Sequence, residues 1–263
     1  MQPGDEYAGR LKGKVAVVLG AASPGNIGQA IARRFALEGA KVVVAGRHLA
    51  ELEAFGRATG ASFELCDITQ ESNLRRLVEH TIQQFGGLDI AVNAVGRNHR
   101  KSLLETTPTE LDEMTAVQFM GPFLFMQAVV SGMRDCKRGG SIIQISSVTS
   151  TIMLHDHALY MATKAGVDHL VRAVAYDYGV DGIRVNSISP GPTSDAPMAA
   201  YVFQDQRFVE QLKLAYPLRR IGTVADVAEA AVWLAEDTCF LTGQLLQVNG
   251  GLTLLGVTST TET

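Results

Sequence analysis

Short apolar runs alternate with amphipathic helical patterns along the chain, and this alternation restricts the fold more than any other feature. Seven runs are predicted to form buried strands, at residues 14–19, 41–45, 62–66, 89–92, 141–145, 183–189 and 244–248. Apolar strands separated by helices are typical of a parallel sheet that is covered on both faces. The sequence therefore predicts one α/β domain over residues 1–263, with a doubly wound parallel sheet of about seven strands in the order 3-2-1-4-5-6-7.

Composition narrows the possible partners. The chain has 263 residues and a formal net charge of -4, and its lysines and arginines form no basic stripe, which argues against nucleic acid. Cys66, Cys136 and Cys239 lack the spacing of a metal or redox site. The N-terminus is polar, and we find no apolar run that is long enough to span a bilayer. We therefore expect a cytoplasmic, reduced protein that binds a small molecule and no metal, nucleic acid or membrane.

A glycine-rich turn joins the first predicted strand to a helix over about residues 27–38. It contains Gly20, Gly25 and Gly28, with Ser23 and Ile27 between them. Glycines let the backbone approach an anion closely, and a helix N-terminus presents free N–H groups. A lone glycine-rich turn is weak evidence, but the first strand–helix junction is where a dinucleotide phosphate binds. These five residues are therefore candidate cofactor contacts.

The ends of the second and third strands bear on which dinucleotide binds. Gly46 and Arg47 follow the second strand, where an acidic residue would hold ribose hydroxyls and an arginine would accommodate a 2′-phosphate. Arg47 therefore favours NADP(H) over NAD(H), and the alternative is a solvated charge. Asp67, followed by Ile68, ends the third strand and could accept from an adenine amino group. The alternative for Asp67 is a turn or helix-cap residue.

Tyr160 and Lys164 are the strongest candidates for chemistry. They are four residues apart in a predicted helix, so they share one face. A nearby ammonium lowers the pKa of a phenol, which is ordinarily about 10. Ser147, at the end of the strand before this helix, could hold a carbonyl oxygen while Tyr160 gives or takes its proton. This arrangement predicts interconversion of a ketone and an alcohol, although the spacing alone is common by chance.

A long segment between the sixth strand and the next helix is rich in large apolar side chains. Residues 194–217 are predicted to form a lid over the active site, and the alternative is an ordinary amphipathic helix on the core. Met198 in this segment, and His155 before Tyr160, are candidate substrate contacts together with Ser147. The apolar lid favours a medium-size or bulky hydrophobic substrate.

With these residues in hand, the sequence resembles the short-chain dehydrogenase/reductase family, in its single-domain Tyr-x-x-x-Lys branch, which includes the 3-oxoacyl-acyl carrier protein reductases. The resemblance covers residues 12–251. The matching pieces are Gly20/Gly25/Gly28, Asp67, residues 93–96, Ser147, Tyr160, Lys164, Asn186, Pro190-Gly191, residues 242–244 and residues 249–251. It implies a Rossmann fold and an NAD(P)-dependent oxidoreductase.

The resemblance also implies roles for individual residues. Tyr160 would be the general acid in reduction and the base in oxidation, Lys164 would bind the nicotinamide ribose, and Ser147 would bind the substrate oxygen. Further cofactor contacts are implied at Asn93, Gly96, Pro190, Gly191 and Thr193.

The family's usual assembly implies a homotetramer, or a homodimer, packed through the helices that carry residues 118 and 160. Residues 252–257 are apolar for a tail, and we expect them to pack either on a neighbouring subunit or on the chain's own core.

Two departures from the family pattern leave alternatives open. Gln118 stands where the family usually has the asparagine of a proton relay, so its catalytic role is open. The glycine turn is longer than usual and resembles that of enoyl-thioester reductases, whose tyrosine would fall at His157. The alternatives are therefore a C=C reductase or a catalytically impaired dinucleotide-binding regulator.

Overall fold

The computed structural model describes residues 9–254, and its centre is one seven-stranded parallel sheet. The strands are β1 (Val15–Leu19), β2 (Lys41–Gly46), β3 (Ser62–Leu65), β4 (Ile90–Asn93), β5 (Gly140–Ile145), β6 (Ile183–Pro190) and β7 (Leu245–Val248). Their order in the sheet is β3-β2-β1-β4-β5-β6-β7, and the predicted fold class and strand order are confirmed.

Eight α-helices connect and cover the strands within the described part of the chain. They are α1 (Ile27–Leu37), α2 (Leu49–Thr59), α3 (Glu71–Phe85), α4 (Pro108–Thr115), α5 (Gly121–Cys136), α6 (Ala158–Tyr178), α7 (Gln206–Ala215) and α8 (Val224–Ala235). The sequence reading did not predict α2. Its signal is short, since Leu52 and Phe55 are its only buried residues before Gly60 ends the helix with a positive φ.

The two faces of the sheet bury separate apolar cores. Successive residues of each strand point to opposite faces of the sheet. They pack on α1, α2 and α8 on one face and on α3, α5 and α6 on the other. Val17 and Val18 show the alternation, because they are neighbours in β1 and lie in opposite cores. The three cysteines are free. This double coverage explains why the strands are apolar on both faces.

The long helical run over Pro108–Cys136 contains a π-helical turn. The turn spans Ala116–Met120, directly before Gly121 and Pro122. Pro122 has no N–H to donate, and Gly121 lies so close to Ile68 that a Cβ would be 2.9 Å from its side chain. The irregularity therefore places residue 118 in a non-standard turn.

The same run corrects the expectation that no segment is long enough to cross a membrane. Among the described residues, Pro108–Cys136 is one helix that meets that test by length and composition, with a mean hydropathy of 1.3. Half of its apolar window is buried inside the molecule, as in a core helix. Of the predicted tail contact at 252–257, residues 255–257 lie outside the described residues.

Candidate active site

The glycine turn forms a cradle that only glycine permits. A Cβ on Gly28 would lie 2.6 Å from the carbonyl oxygen of Gly20, and one on Gly20 would lie 2.5 Å from the carbonyl carbon of Ala94. Gly20 also has a φ of 97°, which disfavours other residues. This space at the N-terminus of α1 fits the phosphates of a dinucleotide.

Two amide side chains hold the lengthened turn in shape. Asn26 accepts from Gln29 N at 2.8 Å, which caps α1, and its Nδ2 donates to Gly20 O at 2.7 Å. Gln29 donates to Ala21 O at 3.1 Å and accepts from Gly25 N at 3.2 Å. The sequence reading missed both roles, although Asn and Gln at this spacing are a capping-box signal. The extra turn residues are therefore ordered by contacts within the turn itself.

Arg47 lies exposed beside this turn. A Cβ on Gly46 would lie 2.5 Å from the Ala22 side chain, so the end of β2 packs directly on the turn. His48 Nδ1 lies 3.1 Å from Ala22 O. Arg47 itself makes no hydrogen bond or ion pair with any residue from 9 to 254, so its guanidinium is available to a ligand.

The side chain of Asp67 stabilises a turn, and the side chain of Ile68 packs in the core. Asp67 Oδ1 accepts from the backbone N of Thr69 at 2.9 Å and from its hydroxyl at 2.8 Å, which is the turn role that we had left open. Its second carboxylate oxygen makes no hydrogen bond within the described chain. Ile68 is 3% exposed and packs beneath Gly121, so its side chain belongs to the core.

The side chain of Asn93 points into the sheet, and its contact with a cofactor stays a prediction. It is fully buried, donates to Gln144 Oε1 at 2.9 Å and accepts from Val95 N at 3.1 Å. Its side chain therefore ties β4 to β5 and shapes the turn that follows. The residues from Ala94 to Gly96 line the cleft instead.

A cleft of about 650 Å³ opens at the carboxyl ends of β1, β4, β5 and β6. It brings together many residues singled out in the sequence, namely Ile27, Gly96, Ser147, His155, Tyr160, Lys164, Pro190, Gly191, Thr193 and Met198. The cleft is not lined by Gly20, Gly25 or Gly28 of the turn, nor by Ser23, Arg47, Asp67, Ile68, Asn93 and Gln118. The cleft is therefore the place where Tyr160 can meet a substrate, and the glycine turn lies at its edge.

Ser147 is oriented by a residue that sequence reasoning missed. Its Oγ accepts from Thr149 N at 3.2 Å and from Thr149 Oγ1 at 3.0 Å. Because both bonds end on the Ser147 oxygen, its own proton is left to donate, to the Tyr160 phenol, whose pKa it lowers, or to a substrate oxygen. Thr149 is 6% exposed and lines the cleft, and its position two residues after a strand-end serine could have indicated this turn.

Lys164 is buried beneath Tyr160 on the same face of α6. Its Nζ donates to Ile145 O at 3.1 Å and lies 5.8 Å from the centroid of the Tyr160 ring. Burial lowers the pKa of Lys164 to about 8, while the negative charge of Asp168 acts against this shift. The amine is thus poised between its two protonation states near neutral pH.

Tyr160 departs from the expected direction. Burial raises the pKa of its phenol above the ordinary value, the Ser147 hydroxyl lowers it, and the nearby phenol of Tyr201 raises it further. The net shift is upward, so the lowering of the Tyr160 pKa that the Tyr–Lys spacing predicts is wrong for this structure. A phenol that stays protonated at neutral pH is suited to donating a proton to a substrate oxygen.

Gln118 ties down a loop next to the cleft. It is 2% exposed and lies in the π-helical turn, from which its Nε2 donates to Arg97 O at 3.2 Å. This bond anchors the segment that follows Gly96. The structure thus gives Gln118 a structural contact, and a part in a proton relay stays a prediction.

The predicted lid contains both a short helix and a wall of the cleft. Pro197–Phe203 form a 3-10 helix, and α7 follows it. Met198, Tyr201 and Phe208 line the cleft and are close to half-exposed, whereas Val209 of α7 packs with Tyr216 in a small core of its own. One part of residues 194–217 therefore lines the cleft and another part packs as an amphipathic helix, and the role of the segment as a lid stays a prediction.

Two histidines lie at the mouth of the cleft. His155 is exposed, whereas His157 is 6% exposed and its Nδ1 lies 2.6 Å from His155 O. No cluster of three potential metal ligands occurs among residues 9–254. His157 is therefore a buried ring that contacts the loop before α6, whereas His155 is open to solvent.

Comparisons with known proteins agree over almost the whole chain. A family model described as enoyl-(acyl carrier protein) reductase matches residues 20–253. L-fucose dehydrogenase from Bos taurus is 36% identical over 255 residues, which cover 93% of this chain and 91% of that protein. The A-factor type gamma-butyrolactone 1'-reductase (1S-forming) from Streptomyces virginiae is 36% identical over 259 residues, covering 94% of this chain and 98% of the relative.

A solved structure matches equally well. A putative short-chain dehydrogenase/reductase from Burkholderia xenovorans superposes with a TM-score of 0.84 at 34% sequence identity, and the match covers 94% of this chain and 98% of that one. The likeness therefore extends over nearly the whole fold of both chains.

Proposed function

Because the chain belongs to the short-chain dehydrogenase/reductase family, and is thereby an NAD(P)-dependent oxidoreductase of CH–OH and C=O groups, we propose that it uses NADP(H) to interconvert a hydrophobic ketone and its secondary alcohol, with Tyr160 as general acid and base. One observation carries the proposal. Ser147, Tyr160 and Lys164 come from two different elements and meet in a single cleft at the strand ends. This is the residue set that carbonyl chemistry requires.

Each of these side chains has a distinct task in reduction. Ser147 donates its free proton to the carbonyl oxygen and polarises the C=O bond. Tyr160 gives its phenolic proton to the same oxygen as negative charge develops there, and the positive charge of Lys164 stabilises the phenolate left behind. A bound nicotinamide supplies hydride to the carbonyl carbon, or removes it from the alcohol, which no side chain can do. In oxidation the proton returns to Tyr160.

The glycine cradle and the cleft support the placement of the dinucleotide. The cradle at Gly20 and Gly28 would hold the phosphates, and Pro190, Gly191 and Thr193 at the end of β6 would hold the nicotinamide end. Thr193 is 4% exposed and its hydroxyl donates to Gly191 O at 3.0 Å, so the loop is held rigid on its own.

The preference for NADP(H) rests on Arg47. Its exposed guanidinium stands after β2 with no acid beside it, and bidentate pairing suits a 2′-phosphate. Fluorescence titration of NADPH and NADH on the wild type and on Arg47→Ala tests this. We expect tighter NADPH binding, and Arg47→Ala should abolish the preference without weakening NADH. Equal binding of both cofactors to the wild type would refute the role of Arg47.

The substrate class rests on the lid. Met198, Tyr201 and Phe208 present large apolar surfaces to the reacting site, which favours a medium-size or bulky hydrophobic substrate. The relatives' names include a sugar dehydrogenase and a lactone reductase, so they do not single out one substrate. A series of ketones of increasing size, assayed by oxidation of NADPH, should show kcat/KM rising with hydrophobic bulk. A preference for free sugars would contradict it.

A C=C reductase remains the second candidate, because the matching family model is described as an enoyl-(acyl carrier protein) reductase and the glycine turn is long. The spacing of Tyr160 and Lys164 argues against it, since His157 occupies the position of the other tyrosine. Acetoacetyl and crotonyl thioesters form a matched pair of probes for the two reactions. Reduction of the crotonyl thioester alone would favour the second candidate.

A catalytically impaired regulator is disfavoured by the intact site. Tyr160 and Lys164 are both present and both line the cleft, whereas a protein that had lost catalysis would not need them. Binding of cofactor without turnover of any carbonyl compound would revive this alternative.

Assembly through the helices that carry residues 118 and 160 is proposed from their exposed apolar side chains. Phe119, Met120 and Phe123 are between 38% and 55% exposed. A homotetramer, or a homodimer, would bury them. Light scattering should give a mass near four or two chains, and a monomer would refute the assembly. We also propose a reducing, cytoplasmic compartment, which the three free cysteines favour.

A further inference from the structure

A buried carboxylate below the catalytic lysine has no part in the steps above. Asp168 is 6% exposed and lies on α6 four residues after Lys164 and eight after Tyr160, so the three form one column on the helix. Ser146 Oγ donates to Asp168 Oδ2 at 2.8 Å. The other oxygen, Oδ1, is buried and has no hydrogen-bond partner within residues 9–254. A buried carboxylate in this state needs a compensating positive charge nearby.

Successive residues at the end of β5 contact successive members of this column. The carbonyl oxygen of Ile145 accepts from Lys164 Nζ at 3.1 Å, and the next residue, Ser146, binds Asp168. Ser147 then enters the cleft and acts on the pKa of Tyr160. The strand end therefore holds each member of the column separately, and Ser146 fixes the position of Asp168.

Asp168 is the counter-charge that faces Lys164. Burial lowers the pKa of Lys164 to about 8, and Asp168 is the charged group that opposes this. The elements packed against this part of α6 contribute uncharged residues: Ile145 and Ser146 on β5, Gln118 on the π-helical turn, and Ser187 and Ser189 on β6, whose neighbours Ile183 and Val185 pack in the same core as α6. Tyr160 is the remaining titratable neighbour.

We propose that Asp168, fixed by Ser146, is a positioning residue whose negative charge keeps the buried Lys164 protonated, and so preserves the positive charge next to Tyr160. An anion favours the charged form of a nearby amine, so removal of the Asp168 charge makes Lys164 lose its proton at lower pH. Lys164 would then be neutral at physiological pH, and the phenolate of Tyr160 would lose its stabilising charge. The consequence for catalysis rests on the proposed function, but the protonation of Lys164 does not.

The test is a pH titration of Lys164 in the cofactor-free protein. NMR monitors the titration through lysines labelled with ¹³C at Cε, and the Lys164→Gln variant identifies the signal of Lys164. Asp168→Asn removes the charge but keeps an oxygen that accepts from Ser146. We expect its Lys164 midpoint to fall by at least about one pH unit, a tenfold loss of proton affinity. Asp168→Glu, which restores the charge, should return the midpoint towards the wild-type value.

Two controls separate charge from packing. Asp177→Asn changes an exposed acid at the far end of α6 and should leave the midpoint unchanged. Ser146→Ala frees the carboxylate and should lower the midpoint by less than Asp168→Asn does. It also carries the test if Asp168→Asn does not fold. A wild-type midpoint in Asp168→Asn, or in Ser146→Ala where that variant carries the test, would overturn the proposal, as would an equal shift in Asp177→Asn.

A second readout connects the charge to catalysis. In NADPH-dependent ketone reduction, the alkaline limb of the kcat profile should move to lower pH in Asp168→Asn, with the Kd of NADPH at pH 6 unchanged. An unmoved limb would overturn the proposal. If the wild type reduces no ketone, the proposed function fails, and the NMR titration still decides the role of Asp168 by itself.

Discussion

Substitution of Gly28 by alanine tests the glycine cradle with a change of one methyl group. The added Cβ would lie 2.6 Å from Gly20 O, 2.9 Å from Gly20 C and 3.1 Å from Ala21 N. All three atoms belong to the backbone, so no flexible side chain can move aside, and the turn itself must shift. Overpacking of this kind costs about 1–3 kcal/mol. Alanine in the first turn of α1 gains up to about 1 kcal/mol of helix propensity, so the net loss of stability is small.

Cofactor affinity should suffer more than stability, because the displaced turn is the one that would hold the phosphates. We expect the Kd of NADPH to rise at least about tenfold, which is 1.4 kcal/mol. The melting temperature should fall by only a few degrees, at about 2–4 °C per kcal/mol for a chain of this size. NADPH fluorescence titration and differential scanning calorimetry measure the two effects.

Gly179→Ala is the matched control. Gly179 follows α6 with a φ of -59°, and a Cβ there would meet no atom within 4 Å. This variant should keep both the wild-type affinity and the wild-type melting temperature. Wild-type NADPH binding by Gly28→Ala would refute the assignment of the cradle, and a loss of affinity in Gly179→Ala would show that the assay reports general damage.

Two further predictions concern single contacts. Thr149→Val removes the hydroxyl that donates to Ser147 at 3.0 Å, and should lower kcat for ketone reduction about threefold to tenfold with an unchanged Kd for NADPH. Thr149→Ser keeps the hydroxyl and should retain activity. Equal rates in both variants would contradict the role of Thr149 in orienting Ser147. Arg220 lies 2.6 Å from the Asp226 carboxylate and holds the pKa of Asp226 well below its usual range. Asp226→Asn removes this ion pair and should destabilise the protein by roughly 1 kcal/mol or less. The stability difference between wild type and variant should be fully present above about pH 4, the pKa of aspartate in the unfolded chain, because the ionised form is the stabilising one. The difference should disappear as the pH falls further. A constant difference in the thermal melts down to pH 2 would refute this.

The sheet and the pairing of Tyr160 with Lys164 were predictable because their signals are local and periodic. Each strand is a short apolar run, and the connections between parallel strands restrict the order of the sheet. Tyr160 and Lys164 share a face by helical spacing alone. Ser147 was singled out because it ends the strand before the Tyr160 helix, and both residues line the cleft.

Other features depended on long-range contacts that spacing does not reveal. Ser146 and Asp168 are 22 residues apart, and Asn93 and Gln144 are 51 apart, so only the folded sheet brings each pair together. The pKa of Tyr160 rises because of burial in the finished cleft, a term that the Tyr–Lys spacing cannot contain.

The central claim is that Tyr160 donates the proton to the substrate carbonyl oxygen in a reduction whose hydride NADPH would supply. The most direct measurement is the rate of NADPH oxidation by the wild type and by Tyr160→Phe, with the ketone that the wild type reduces best. Tyr160→Phe keeps the ring on α6 but has no proton to give, and general acid catalysis contributes about 10²–10⁴-fold. The account predicts that kcat falls by at least about 100-fold while the Kd of NADPH stays within a factor of about two. A variant that reduces the ketone at close to the wild-type rate would contradict it.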